Sequence, residues 1–197
     1  RAETCRALLS YSGAPWENVH PAWPSEKLNQ PFGKMPVLIE RSEDGSEFVL
    51  SDSVAIEKYL ATKYGLAVTG DARAVAHQDE LRNQIRDIYE LIVLYKFGHE
   101  DVRPGIMDKF NTLAKALVRF HEEFLKKNGS NGHYFGSRTT YVDIAVYANV
   151  AVLRDAGVTF MPGAADLFTE ENAPEISKVL KAVEADPAMT SYVASLQ

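Results

Sequence analysis

Apolar and polar positions alternate in two different rhythms along this chain. Over the first ~65 residues the apolar runs are short and punctuated by proline and glycine. Residues 2–12 place Cys5, Leu8 and Leu9 on one side of a helix that Gly13 stops. A short strand is predicted over 15–20 around Trp16 and Val19, followed by an irregular loop from Pro21 to Gly33 that contains Pro21, Pro24 and Pro31. Pro36 to Glu40 and Ser46 to Leu50 read as two strands, and the Asp44-Gly45 turn between them makes an antiparallel hairpin. Ile56, Tyr59, Leu60 and Tyr64 then share one face of a helix over 53–64, closed by Gly65.

Beyond about residue 70 helical spacing takes over. Leu81, Ile85, Ile88, Ile92 and Tyr95 repeat at that period, and so do Ile106, Phe110, Leu113, Leu117, Phe120 and Phe124. Thr140 to Asp143 has the form of a capping box, in which Thr140 caps the N3 amide and Asp143 reaches back. Ile144 to Leu153 are nearly all apolar, so that helix belongs in the middle of a bundle. A further helix is predicted from about Ala173 to Ala185, broken by Asp186-Pro187 and followed by a short tail helix. The order implies an α+β, thioredoxin-like domain over 1–65, a linker over 66–70 and an all-helical domain over 71–197.

Composition narrows the class of ligand. The net charge is -6, from 27 acidic and 21 basic residues, without a run of Lys or Arg. That argues against nucleic acid and anionic membrane as partners. Apolar runs fall short of a membrane span, so a membrane protein is not expected. The single cysteine, Cys5, rules out an intrachain disulfide and fits a reducing, cytoplasmic compartment. In that compartment the Asn128-Gly129-Ser130 sequon is coincidental. Cys5 sits inside its helix on the apolar face, as a small buried hydrophobe. The five histidines have no ligand spacing, and no metal site is expected.

Four segments carry a resemblance to a family. Arg1-Ala2-Glu3 with Cys5 to Leu9 is similar to the first helix of the sigma, alpha, mu and pi cytosolic glutathione transferases. Phe32-Gly33-Lys34-Met35-Pro36-Val37-Leu38 resembles their proline loop. Ser51 to Ile56 with Tyr59-Leu60 resembles their glutathione-binding helix start. Tyr134-Phe135-Gly136 with Thr140 to Asp143 resembles their capping segment. The proline loop and the Asp-Ser helix start at this separation are a fairly specific pair, and the sigma-like class is the nearest match.

The resemblance implies reduced glutathione as co-substrate, conjugated to electrophilic, largely apolar small molecules, or used in isomerisation, by a two-fold homodimer. Met35 would precede a cis proline, Pro36, and offer its backbone to the cysteinyl part of glutathione like an added strand. Ser53 would hold the γ-glutamyl carboxylate at a helix N-terminus and Asp52 the ammonium. Trp23 and Lys27 would meet the glycyl end, with Lys34 as a second cation for the same carboxylate. Each also has a plainer structural reading: a strand-start proline, N-capping by Asp52 and Ser53, a packed tryptophan, a solvated lysine. Tyr89, Tyr95 and Phe97 could line a substrate pocket or sit in the bundle core.

Two features depart from the pattern. The family's catalytic Tyr or Ser lies on a strand upstream of the Arg-Ala-Glu segment, so further residues before Arg1 are expected to supply it, natural loss of the strand being the alternative, and no tyrosine within the 197 residues takes the role. Arg1 resembles an arginine that helps acidify the thiol. On the long helix after the linker only Asp87 and Glu90 are acidic over residues 87–95, where related enzymes present acids to the neighbouring subunit's glutathione. A non-catalytic relative of the same fold is the rival reading.

Overall fold

A computed structural model describes residues 2–159 and 161–196, the side chains of 155–159 and 165 excepted. The chain opens with helix α1 (Glu3–Ser12), which Gly13 ends in a left-handed conformation. Strands β1 (Val37–Arg41) and β2 (Glu47–Ser51) form the predicted antiparallel hairpin, in register from Val37 opposite Ser51 to Arg41 opposite Glu47. Gly45 takes φ of 82° in the turn, where the Asp44 carboxylate accepts from the Ser46 N–H. Helix α2 (Ser53–Lys63) follows at once. It lies on the hairpin through Tyr59, which stacks near Phe48 and donates its hydroxyl to Glu40.

Residues 15–20 form no strand. Extended backbone becomes sheet only when a neighbour completes its ladder, and no strand pairs with this segment among the described residues. Asn18 instead turns its side chain to Arg6 and His20. The outer edge of β1 is likewise without a ladder partner among the described residues.

The rest is helical: α3 (Ala72–Phe97), α4 (Arg103–Lys127), α5 (Tyr141–Thr159), α6 (Pro174–Ala185) and α7 (Thr190–Ser195). Helix α5 is the axis of the molecule. Every residue from 141 to 150 is buried, as an all-apolar helix requires, and it packs on α1, α3 and α6. Ala7 and Leu8 of α1, Ile56 and Leu60 of α2, and Ile85 and Ile88 of α3 belong to the same continuous core.

The start of α5 is tied down by Asp143, which accepts from the backbone N–H groups of Tyr134 and Thr140. Only half of the predicted capping box forms, because the Thr140 hydroxyl donates to the Asp143 carboxylate and does not accept from the N3 amide. Burial raises the Asp143 pKa against the pull of these hydrogen bonds. Asp143→Ala strands two buried N–H groups and one buried hydroxyl, so a loss of about 3 kcal/mol is expected in urea unfolding. A loss below about 1 kcal/mol would mean that water replaces the carboxylate.

Asn128, in the sequon, has a structural role. Its amide donates to the carbonyls of His133 (2.8 Å) and Gly136 (3.0 Å), so the nitrogen a glycan would need is holding the α4–α5 loop together.

Candidate glutathione-type cleft

The hairpin register sets the geometry of the site. With Val37 paired to Ser51 at its mouth, the Met35–Pro36 peptide and the Asp52–Ser53 turn lie at the same end of the sheet. Met35–Pro36 is cis, and Met35 is exposed. No hydrogen bond within the protein engages the Met35 backbone among the described residues. An extended ligand therefore finds a free N–H and C=O there.

Asp52 turns the chain into α2 with φ of 80°, and its Oδ1 accepts from the N–H groups of Val54 and Ala55, both at 3.1 Å. The plain capping role is thus real. It also leaves the Ser53 N–H and hydroxyl with no protein partner among the described residues, at the positive end of an 11-residue helix. An anion fits there. The Ser53 carbonyl is taken from below by the Cys5 thiol at 3.8 Å. Cys5 is buried as expected, and burial pushes its thiol pKa well up, which makes it inert.

Trp23 and Lys27 meet on the loop before the proline motif, with the Lys27 ammonium 5.9 Å from the Trp23 ring centroid. Both are exposed. The loop folds back so closely that a β-carbon on Gly33 would sit 3.7 Å from the Lys27 carbonyl oxygen, which draws Lys27 towards the Met35 end. Lys34 is exposed beside it. Arg1 lies outside the described residues.

Two hollows lie among the helices, one of them lined by Ser53. The first is a polar notch of about 260 Å³ lined by Ser53, Arg82, Arg86, Tyr89, Glu90 and Asn149. The second is an apolar cleft of about 350 Å³ between α3, α4 and α5, walled by Ile88, Ile92, Leu117, Val150 and Phe168. Tyr89 and Asn149 line both, so the notch opens into the cleft. Of the three aromatics singled out in the sequence, only Tyr89 is there. Tyr95 packs partly into the core under Arg103, and Phe97 is 78% exposed.

Sequence reasoning missed Arg82, Arg86 and Asn149. Arg82 is nearly buried and grips Glu57 of α2 with two nitrogens, Nη2 at 2.7 Å from Oε1, while Tyr141 of α5 donates to the same carboxylate at 2.7 Å. Burial works against the Arg82 charge, but the Glu57 hydrogen bonds and charge outweigh it and raise the guanidinium pKa. The remaining nitrogen, Nη1, is buried without a partner among the described residues. Arg86 makes no ion pair among the described residues. Asn149 donates to Thr4 of α1 and to the Ala145 carbonyl. One signal was available for Arg82: it sits on the face of α3 that carries Ile85, where a solvated arginine is out of place.

Comparison with known proteins accounts for this arrangement. The family model "Glutathione S-transferase, N-terminal domain" matches residues 2–68, and "Glutathione S-transferase, C-terminal domain" matches residues 88–196. A probable glutathione S-transferase 6 of Caenorhabditis elegans is 29% identical over 99% of this chain and 91% of its own length. The hematopoietic prostaglandin D synthase of Gallus gallus is also 29% identical, over 98% of this chain and 89% of its own. Among solved structures, a sigma class transferase of Fasciola hepatica superposes with a TM-score of 0.80 at 20% identity, covering 100% of this chain and 91% of that one. A monomeric glutathione S-transferase of the hookworm Necator americanus gives 0.74 at 25% identity, over 98% of this chain and 91% of the other.

Proposed function

Because the chain belongs to the glutathione S-transferase family, matched over both family domains, we propose that the cleft holds reduced glutathione stretched from Ser53 past Met35 to Lys27. The protein is a glutathione transferase with the thioredoxin-like and helical architecture of that family. It joins the thiol of reduced glutathione to electrophilic small molecules or uses it in isomerisation, the activities named for its relatives. The geometry supports the finer assignments that follow.

The γ-glutamyl carboxylate sits on the Ser53 N–H and hydroxyl, where the α2 dipole favours it. The uncommitted oxygen of the Asp52 carboxylate takes the ammonium. The cysteinyl peptide pairs with the Met35 backbone beside Pro36. Lys27, held over Trp23, neutralises the glycyl carboxylate, with Lys34 in support. Residues 1–65 form the glutathione domain, 66–70 the linker, and 71–197 the helical domain, which offers the apolar cleft to the electrophile. The family resemblance assigns Arg1 the role of a further cation that helps acidify the thiol. One observation carries the reading: among the described residues the Ser53 N–H and hydroxyl have no partner, at a helix start that shares its end of the sheet with a Met35 peptide likewise without one.

A homodimer in the cytoplasm completes the proposal. Leu28 and Phe32, 92% and 87% exposed on the proline loop, are apolar surface that a second subunit would cover. No helix among the described residues is long and apolar enough to cross a membrane.

Calorimetric titration with glutathione tests the site. Ser53→Ala removes a hydroxyl from a charged group, a loss of about 1.5–3 kcal/mol or roughly 10- to 100-fold in Kd. Unchanged affinity in a folded Ser53→Ala chain would refute the placement.

A further inference from the structure

The loop between α4 and α5 carries two Asn-Gly pairs, Asn128-Gly129 and Asn131-Gly132. Such a pair is chemically labile. Glycine has no β-carbon, so its backbone nitrogen can approach the preceding side-chain amide without hindrance. Asparagine is a thermolabile residue for this reason among others. By sequence the two pairs are alike. Their surroundings in the fold are not.

Asn128 is half-buried, and its Nδ2 donates to the carbonyls of His133 and Gly136 at 2.8 and 3.0 Å. The N–H of Gly129 is spent on the Lys126 carbonyl at 3.0 Å. No donor meets the Asn128 Oδ1 among the described residues. Asn131 is exposed and differs on each count. Its Oδ1 accepts from the His133 N–H at 3.1 Å and from Asn128 Nδ2 at 3.5 Å. Its Nδ2 donates to the Gly136 carbonyl at 2.7 Å. The N–H of Gly132 has no acceptor among the described residues. Gly132 itself has φ of 83° and is pressed on α6, where a β-carbon would lie 3.2 Å from the Lys178 carbonyl oxygen.

We propose that Asn131 is a site of spontaneous deamidation in the folded protein, assisted by the two donors on its Oδ1, and that Asn128 is spared. The Gly132 nitrogen gives its proton to water or hydroxide and forms a bond to Asn131 Cγ. Negative charge collects on Oδ1, where the His133 N–H and the Asn128 amide already point. The charge then returns to rebuild the carbonyl, and the Cγ–Nδ2 bond breaks. The nitrogen leaves as ammonia, with a proton from water. Water next opens the cyclic imide. Opening at Cγ leaves aspartate; opening at the backbone carbonyl leaves isoaspartate, with the main chain running through the former side chain. Nothing is oxidised or reduced, and water is the only co-reactant.

Either product loosens the loop. A carboxylate at 131 cannot donate to the Gly136 carbonyl. Isoaspartate also lengthens the main chain just before Gly132, which has little room to move towards α6. The same loop supplies the Tyr134 N–H to Asp143, so the change reaches the start of α5. Lys127 and Arg138, both exposed, flank it as sites where trypsin reports the loosening.

The test is peptide mapping by mass spectrometry on the whole chain, aged folded in warm, mildly alkaline buffer and, in parallel, in urea. In the folded chain Asn131 is expected to lose its amide at least about tenfold faster than Asn128, and no slower than it does in urea. In urea the two pairs should react within about twofold of each other. A smaller lead in the folded chain, or an Asn131 rate below that in urea, would overturn the proposal, because the loop would then shield the amide. So would a lead that persists unchanged in urea, which local sequence alone would explain. Trypsin should cut the aged chain at Lys127 or Arg138 roughly tenfold faster than the fresh chain. Aged Asn131→Gln, which must close a larger ring, should be cut no faster than fresh Asn131→Gln. Converted wild type that is cut no faster than fresh, or an aged Asn131→Gln chain that loosens as much, would refute the effect on the loop.

Discussion

Glu57→Ala is expected to lower the unfolding free energy by about 3–5 kcal/mol, because it leaves the Arg82 guanidinium buried without its counter-ion. In a chain of this size that is a fall in Tm of roughly 10 °C or more. Three helices meet at this carboxylate: α2 carries it, α3 grips it through Arg82, and α5 reaches it through Tyr141. Glu57 has no measurable exposure and Arg82 only 6%, so water cannot substitute for the lost partner. Removing both charges together, as Glu57→Leu with Arg82→Met, should cost far less than the sum of the single changes. A buried ion pair replaced by apolar volume is often close to neutral. The double-mutant cycle in urea decides the matter. Additive losses would show that the pair is not coupled and that each residue matters only for its packing. The cycle also bears on function, since Glu57 lies on the helix that Ser53 starts, and Arg82 and Ser53 line the same notch. The double variant is therefore expected to stay folded while binding glutathione less well.

That network shows where the sequence stops being readable. The helices were legible because burial imposes the 3.6-residue period locally, as in Leu81, Ile85, Ile88 and Ile92, all now buried. The hairpin was legible because Asp44-Gly45 encodes its own turn. The capping carboxylate of Asp143 was legible because its partner at Thr140 is three residues away. Glu57 and Arg82 are 25 residues apart, and Glu57 and Tyr141 are 84 apart. A Glu or an Arg on a helix is ordinarily a solvated residue, and only the packing of α2, α3 and α5 makes these two into a core pair. The same limit hid Glu122 of α4, whose carboxylate accepts from the N–H groups of Glu175 and Ile176 and so caps α6 from another helix. At the candidate site, Met35, Pro36, Asp52 and Ser53 were legible as local motifs. The notch was not, since Arg82, Arg86 and Asn149 become neighbours of Ser53 only in three dimensions. The strand predicted over 15–20 failed for a related reason: strand propensity is local, but a ladder needs a neighbour.

Acid should find one weak point before the rest of the fold. His121 of α4 is fully buried, with Nδ1 2.6 Å from the Tyr134 hydroxyl and Nε2 without a partner among the described residues. Burial lowers its pKa from 6.5 to about 3. The folded protein therefore binds this proton less readily than the unfolded chain, in which histidine titrates near ~6.5. The His121 contribution to stability is full above that pH and declines as pH falls, by about 1.4 kcal/mol per unit, until the folded pKa is reached. Between pH 7 and 4.5 the expected loss is about 2.5 kcal/mol from this residue alone. Asp143 acts in the opposite sense, because burial raises its pKa and its protonation favours the folded state. A direct pH profile would mix the two, so the comparison has to be with His121→Gln, which can still accept from Tyr134 but cannot titrate. The variant should be less stable than wild type at pH 7, where it lacks the fitted imidazole, and should lose this excess acid sensitivity. If urea unfolding shows the same decline between pH 7 and 4.5 in both proteins, then His121 is protonated only after unfolding begins elsewhere, and the acid limit of the fold lies in its carboxylates.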